Sequence, residues 1–376
     1  MVDVRADIEQ RLERVQAVIE KQGLGGLLIY SHGRHNMGRM DQLLYLSDFR
    51  SVGPCVLVVP RSGSPTLLVS PPWDAARAGE AAGVREAKGV DFRDLAELTG
   101  REAAKLGKPL GLAGRDVMPV GFGEELFEEL GDEPADAEKL VPSLGMCRTP
   151  AELERVEMAG RIADIGFQAA CDTARVGMRE YELAAEVEAA MQKAGAEDNF
   201  GLIGGNAHNQ AVRPATDRRL EEGDLIIGEI TPCYKGYVAQ LCRTLVLGKP
   251  TAVQQEKFEL LIEAETQGLE AARAGRPSGE IARAVDGVIG AAGYEEYCKP
   301  PYMRTRGHGL GMGGIAPADL TQQSASILEN NMTFVIHPNQ YLPETGYMMV
   351  GDTVVIDDGA ARRLTQTPLQ LFWKAV

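Results

Sequence analysis

Two of the five histidines stand where a side chain can do chemistry, His308 within Gly307-His308-Gly309 and His337 at the end of Thr333-Phe334-Val335-Ile336-His337-Pro338. A neutral imidazole can take a proton from water, and a neighbouring carboxylate can orient it or stabilise the imidazolium. The plain alternative is a hydrogen-bonded structural histidine. Glu229 follows the apolar run Leu225-Ile226-Ile227 and Gly228 in what reads as a central strand. A carboxylate there is unfavourable unless paired, so Glu229 is a candidate for a raised pKa and for catalysis or substrate anchoring. Further along, Gln240 and Cys242 share one strand face by alternation. Gln240 reads as a neutral donor and acceptor for substrate or water. Cys242 is either a thiolate nucleophile beside a histidine or the commoner buried, inert thiol. Arg304 and Arg306 precede His308 and suit a bidentate carboxylate, or they are ordinary surface arginines.

The elements that must position these groups are those of a two-domain chain. It has 376 residues, 44% hydrophobic and 25% charged, which excludes disorder as the main state. A formal charge of −15 excludes a broad basic face for nucleic acid. No apolar run approaches the ~20 residues that span a bilayer, and the polar start lacks a signal-peptide core. Six scattered cysteines without a C-x-x-C pair read as free thiols. The expectation is a cytoplasmic protein that binds neither nucleic acid nor membrane and takes a small-molecule substrate.

Residues 1–147 alternate helix and strand patterns. A helix covers Ile8 to Lys21, with strands at Leu27–Tyr30, Cys55–Val59, Thr66–Val69 and Leu110–Ala113. Further helices cover Ala75–Ala82 and Leu95–Leu106, making an α/β domain. Residues 148–376 form the second domain. Thr149-Pro150-Ala151-Glu152 is a capping box opening a helix to about Ala174. A helix over Glu180–Ala194 follows, then strands at Asp224–Pro232 and Tyr237–Leu247. The same order returns with helices at Ala252–Ala274 and Ser278–Ala292 and strands at Phe334–His337 and Thr353–Asp357. The two halves of this α+β domain share one plan without a visible sequence repeat.

Several motifs, in order, resemble the creatinase/aminopeptidase P/prolidase family. They are Arg148-Thr149-Pro150-Ala151-Glu152, Gly177-Met178-Arg179-Glu180-Tyr181, Gly223-Asp224-Leu225-Ile226-Ile227, Gly236-Tyr237, Arg243-Thr244 and Gly307-His308-Gly309-Leu310-Gly311. The resemblance implies a creatinase-like α/β N-terminal domain before a pita-bread catalytic domain. It also implies a homodimer with the active site near the subunit interface, where Phe49, Arg50 and the segment Ser31-His32-Gly33-Arg34-His35-Asn36 would reach the partner's cavity. Tyr237 joins the substrate-side candidates.

Family metalloenzymes hold two divalent ions with two Asp, one His and two Glu. The matching positions here carry Glu229, Gln240, His308, His337 and Gly351, with Asp352 the alternative for the last. Only Glu229 is an anion among the five. Two divalent ions would leave about three positive charges uncompensated in a cavity, at several kcal/mol per ion. The resemblance therefore points toward the family's metal-independent branch, creatinase-like and ectoine-hydrolase-like. Creatinase's catalytic histidine falls near Val212 here, and His208, four residues earlier, is the candidate replacement.

The expected function is a hydrolase cleaving a C–N bond of a small molecule without a cofactor. His308 and His337 activate water, Glu229 assists, and Gln240 stabilises the oxyanion. Arg304 and Arg306 would favour an anionic or neutral substrate. Two alternatives stand beside this. One is a mononuclear enzyme with Zn or Fe on Glu229, His308 and His337, Xaa-Pro peptidase-like in ancestry. The other is a non-catalytic binding protein on the same fold.

Overall fold

In the computed structural model, residues 3–34, 38–81 and 83–376 are described, residues 314–318 by their backbone alone. The chain divides into two units, Met1–Met146 and Cys147–Val376. Among the described residues no helix is long and apolar enough to cross a membrane.

The first unit opens with α1 (Val4–Lys21), capped by Asp3, whose carboxylate accepts from Arg5 N at 3.0 Å. Ile8, Leu12, Val15 and Ile19 fall on its buried face. Burying each such side chain stabilises by ~1.5–3 kcal/mol. Gly23, at φ 70°, takes the chain out of the helix in a conformation that glycine adopts without strain. Six strands follow: β1 (Gly26–Ser31), β2 (Cys55–Pro60), β3 (Thr66–Val69), β4 (Glu86–Gly89), β5 (Leu110–Ala113) and β6 (Ala135–Asp136). Their order in the mixed sheet is β4-β3-β2-β1-β5-β6. Helices α2 (Gln42–Ser47), α3 (Ala75–Ala78), α4 (Leu95–Ala103), α5 (Val120–Leu130) and α6 (Leu140–Leu144) complete the unit. The expected helix to Ala82 ends at Ala78, before Gly79, and Ala82 itself lies outside the described residues.

The second unit is built twice on one plan. Helix α7 (Pro150–Thr173) begins at the expected capping box, with Glu152 N donating to Thr149 Oγ1 and Thr149 N to Glu152 Oε2. It packs with α8 (Glu180–Lys193) over β7 (Asp198–Asn206), β8 (Leu225–Tyr234), β9 (Tyr237–Val238) and β10 (Leu241–Leu247). Then α9 (Ala252–Ala271) and α10 (Gly279–Ile289) precede β11 (Gly307–Gly311), β12 (Gly313–Asp319), β13 (Thr333–Ile336), β14 (Gln340–Leu342), β15 (Gly346–Met348), β16 (Asp352–Val355), β17 (Arg362–Arg363) and β18 (Phe372–Lys374). The strands form one sheet ordered β18-β10-β8-β7, a second ordered β12-β11-β13-β16-β17, and the small pair β14-β15.

The two larger sheets meet along a seam. Cys242 and Gly351 exchange both backbone hydrogen bonds at 3.0 Å. On either side a threonine hydroxyl replaces a ladder bond. Thr244 Oγ1 accepts from Met349 N and donates to Met349 O, at 2.8 and 3.0 Å. Thr353 Oγ1 accepts from Gln240 N and donates to Gln240 O, at 2.7 and 2.8 Å. This second stitch breaks the single strand expected over Tyr237–Leu247 into β9 and β10, because Gln240 spends both backbone groups on Thr353 instead of on β8.

Candidate active site

Strand β8 lies between β7 and β10 and alternates cleanly. Ile226 and Ile230 pack with α7 and α8, while Ile227 turns to the opposite face among Cys242 and Met349. Glu229 falls on that second face by the same period and pairs directly with Cys242 across β8 and β10. Its carboxylate has no hydrogen-bond or ion-pair partner among the described residues. Burial alone raises its pKa to about 7. Gln240 is buried, and its Nε2 donates to Cys242 Sγ at 3.6 Å. Glu229, Cys242 and Gln240 are thus brought together as the alternation required.

Cys242 is fully buried, and burial, followed by the Glu229 carboxylate, pushes its thiol far above the ordinary value. It remains a neutral thiol at neutral pH, so the nucleophile reading gives way to a wall residue.

The two histidines meet each other, their ring centroids 5.9 Å apart and their planes at 67°. His308 Nδ1 lies 3.1 Å from Gly309 O, and a carbonyl oxygen only accepts, so Nδ1 carries the proton and Nε2 keeps its lone pair. Burial lowers the pKa of His308. Burial, then the neighbouring His308, pushes His337 down to about 3. Both rings are therefore neutral near pH 7. His337 Nδ1 is buried without a hydrogen-bond partner.

Gly351 joins the carboxylate side to the histidine side. It bonds to Cys242, and a Cβ on it would stand 2.5 Å from His337 Cβ and 2.8 Å from Ile336 O. Any side chain there would drive the strands apart. Asp352 points elsewhere. It accepts from Arg243 Nη2 at 2.9 Å, from Arg363 Nη2 at 3.0 Å and from the Thr365 hydroxyl. The open choice between Gly351 and Asp352 resolves to Gly351 beside the histidines. Arg243 also donates through Nη1 to Cys242 O (2.8 Å) and Gly351 O (2.9 Å), clamping the seam from behind.

The other candidates have partners of their own. Arg306 is buried, donating to Asp286 Oδ1 (2.7 Å), Asn339 O (3.1 Å) and Gln340 Oε1 (2.9 Å), so its guanidinium holds the scaffold and not a substrate carboxylate. Arg304 is exposed on a groove of about 320 Å³ whose lining includes neither histidine nor Glu229. Neither arginine therefore offers a guanidinium to an anionic substrate at the histidines. Tyr237 is buried and donates its hydroxyl to Glu152 Oε1 at 2.9 Å, a structural bond. In the first unit Phe49 is buried under the Arg77 guanidinium at 4.5 Å, and Arg50 O accepts from Arg77 Nη2 at 2.7 Å. His32 Nδ1 accepts from Arg34 N at 2.9 Å, and His35 and Asn36 lie outside the described residues. His208 sits at β14, its ring 5.7 Å from Tyr341.

One residue on this face was not anticipated. Tyr347 packs on the cluster of Ile227, Cys242 and Met349. Burial, then Cys242 and Glu229, raises its phenol pKa, so it stays an O–H donor. Its only sequence signal was its place four residues before Gly351.

The model for metallopeptidase family M24 matches residues 154–358, and that for the Creatinase/Prolidase N-terminal domain matches residues 11–147. A Xaa-Pro dipeptidase of Pyrococcus furiosus is 27% identical over 97% of this chain and 100% of its own length. One of Pyrococcus horikoshii is 30% identical over 70% of this chain and 75% of its own. The solved prolidase from Pyrococcus furiosus superposes with a TM-score of 0.79 at 27% identity, covering 94% of this chain and 99% of that one.

Such relatives imply divalent metal. A pair of ions does not fit the residues present: Gln240 is a neutral amide, Gly351 has no room for a side chain, and Asp352 is bound by two arginines. Among the described residues no group of three or more His, Cys, Asp or Glu side chains stands close enough to hold an ion, so Glu229, His308 and His337 do not assemble as three ligands. One ion on the two imidazoles does fit the donor chemistry, with two neutral rings, a free Nε2 on His308 and the unpartnered Nδ1 of His337. The expectation of a metal-independent hydrolase without a cofactor is corrected by the matches to a metallopeptidase family and to Xaa-Pro dipeptidases.

Proposed function

The chain belongs to metallopeptidase family M24, with a Creatinase/Prolidase N-terminal domain before a pita-bread catalytic domain, and from that premise we propose that it hydrolyses the C–N bond of a dipeptide-sized substrate. The relatives' name, Xaa-Pro dipeptidase, supports an amide of that kind. The observation that carries the reading is the neutral His308–His337 pair joined through Gly351 and Cys242 to a half-buried, unpartnered Glu229.

His308 and His337 would hold a single divalent ion, which when bound supplies Lewis-acid polarisation of the scissile carbonyl. Proton transfer falls to Glu229. With a pKa of about 7 it takes a proton from water as the carboxylate and returns one to the leaving nitrogen as the acid. The C–N bond breaks, a C–O bond to the water oxygen forms, and one water is consumed. Gln240 and Tyr347 remain neutral hydrogen-bonding groups on the same face.

The test is metal content by mass spectrometry together with hydrolysis of a panel of Xaa-Pro and other dipeptides, before and after chelation. The expected result is one ion per chain at saturation, lost in His337→Ala, and cleavage of at least one dipeptide. Two ions per chain, or ligand binding without turnover in the metal-loaded protein, would overturn the reading.

A further inference from the structure

We propose that the substrate carries an aromatic side chain, taken up on a wall formed by Tyr341, Tyr302, Tyr297 and His208 that leads out from Tyr347. This deepens the hydrolase reading and rests on it for the position of the scissile bond.

Strands β14 and β15 pair with Tyr341 directly opposite Tyr347, and cross-strand partners share one face. The inner end is Tyr347, packed on the cluster that includes Cys242, which is itself paired with Glu229. Outward from Tyr341, the Tyr302 ring stacks at 5.4 Å with planes at 20°, and Tyr297 lies at 5.9 Å. Tyr297 and Tyr302 meet edge-on at 4.9 Å, and His208 meets Tyr341 edge-on at 5.7 Å. Counting Tyr294, 6.3 Å from Tyr297, five of the chain's ten tyrosines lie in this one strip. A strip serving only as core would be closed over. Here Tyr302 is 44% exposed and Tyr297, Tyr341 and Tyr347 are half-buried, so the wall runs from Tyr347 out to solvent.

The wall is also held rigidly. Gln340 Nε2 donates to Tyr297 O at 2.8 Å and to Tyr341 O at 3.0 Å, and Arg306 fixes the other end of that amide. His208 Nε2 donates to Pro343 O at 3.0 Å and its Nδ1 accepts from Gln210 Nε2 at 3.1 Å, which sets its ring. Rings pinned in offset and edge-on array present a π-face that a flat side chain can join, as aromatic pairs do.

The experiment compares Phe-Pro with Ala-Pro, by kcat and KM and by calorimetric binding, on the metal-loaded wild type, Tyr302→Ala and Tyr302→Phe. The wild type is expected to favour Phe-Pro by roughly three- to tenfold in kcat/KM, through KM. Tyr302→Ala should bring the ratio below about twofold, while Tyr302→Phe keeps it. Equal ratios in wild type and Tyr302→Ala would overturn the proposal even if both dipeptides are cleaved. If neither is cleaved but Phe-Pro binds more tightly and loses that advantage in Tyr302→Ala, the wall stands and the hydrolase reading fails. If neither is cleaved and the two bind alike, both fall.

Discussion

Glu180 and Glu229 belong to the same half of the catalytic domain and are solvated in opposite ways. Glu180, at the start of α8, is fully buried and accepts from Gly205 N (3.0 Å), both Arg213 Nη atoms (2.8 and 2.6 Å), and Thr216 N and Oγ1 (2.9 and 2.6 Å). Burial would raise its pKa, but these bonds overcome that and leave it below the ordinary value. Glu229 has burial and nothing to offset it. A carboxylate built into the scaffold is surrounded by donors, whereas one left without them on a central strand is held in reserve for a proton or a ligand.

The largest expected effect lies on the Glu180 side. Glu180→Ala removes the carboxylate that both Arg213 Nη atoms and the backbone N–H groups of Gly205 and Thr216 donate to. It should cost about 3–5 kcal/mol, or roughly 10 °C in Tm, measured by thermal and urea unfolding. Glu229→Gln should do the reverse to stability and damage activity. Unfolding at pH 8 should show a gain of roughly 2–3 kcal/mol while turnover falls by ~10²-fold. A destabilised Glu229→Gln would mean that Glu229 is a paired carboxylate after all.

Titration sharpens the contrast. The folded pKa of Glu180 is lowered, so its stabilisation is present above the unfolded value near ~4.3 and is lost as pH falls through the folded value. The folded pKa of Glu229 is raised, so its cost is absent below about pH 4.3 and grows as pH rises through about 7. Stability curves of Glu180→Gln and Glu229→Gln against wild type should therefore diverge in separate pH windows and with opposite sign. Gly351→Ala, with its Cβ against His337, should cost about 1–3 kcal/mol. The smallest effect is expected of Cys242→Ala, at about 1 kcal/mol, with turnover lowered no more than about threefold. Loss of all turnover there would restore the thiol as a nucleophile.

Much of this was legible in the chain. The capping box at Thr149–Glu152, the apolar run of β2 and the carboxylate on a central strand at Glu229 are local signals of side-chain period and type. Strand β7 escaped notice because Gly201, Gly204 and Gly205 blunt its alternation, and β14 and β15 are only three residues each. Tyr347 and Gly351 depend on register across strands far apart in sequence, which no local pattern records. Arg306 misled because a buried arginine and a substrate-binding one look alike until their acceptors are seen. The metal expectation failed for another reason: charge counting excludes a second ion but says nothing against a first.

The threonine stitches at Thr244 and Thr353 have a dynamic consequence. With Cys242 and Gly351 bonded between them, neither half-sheet can open without breaking backbone bonds of the other. The two halves should unfold as one cooperative block, and the amides of Gln240, Cys242, Met349 and Gly351 should exchange with solvent only through global unfolding.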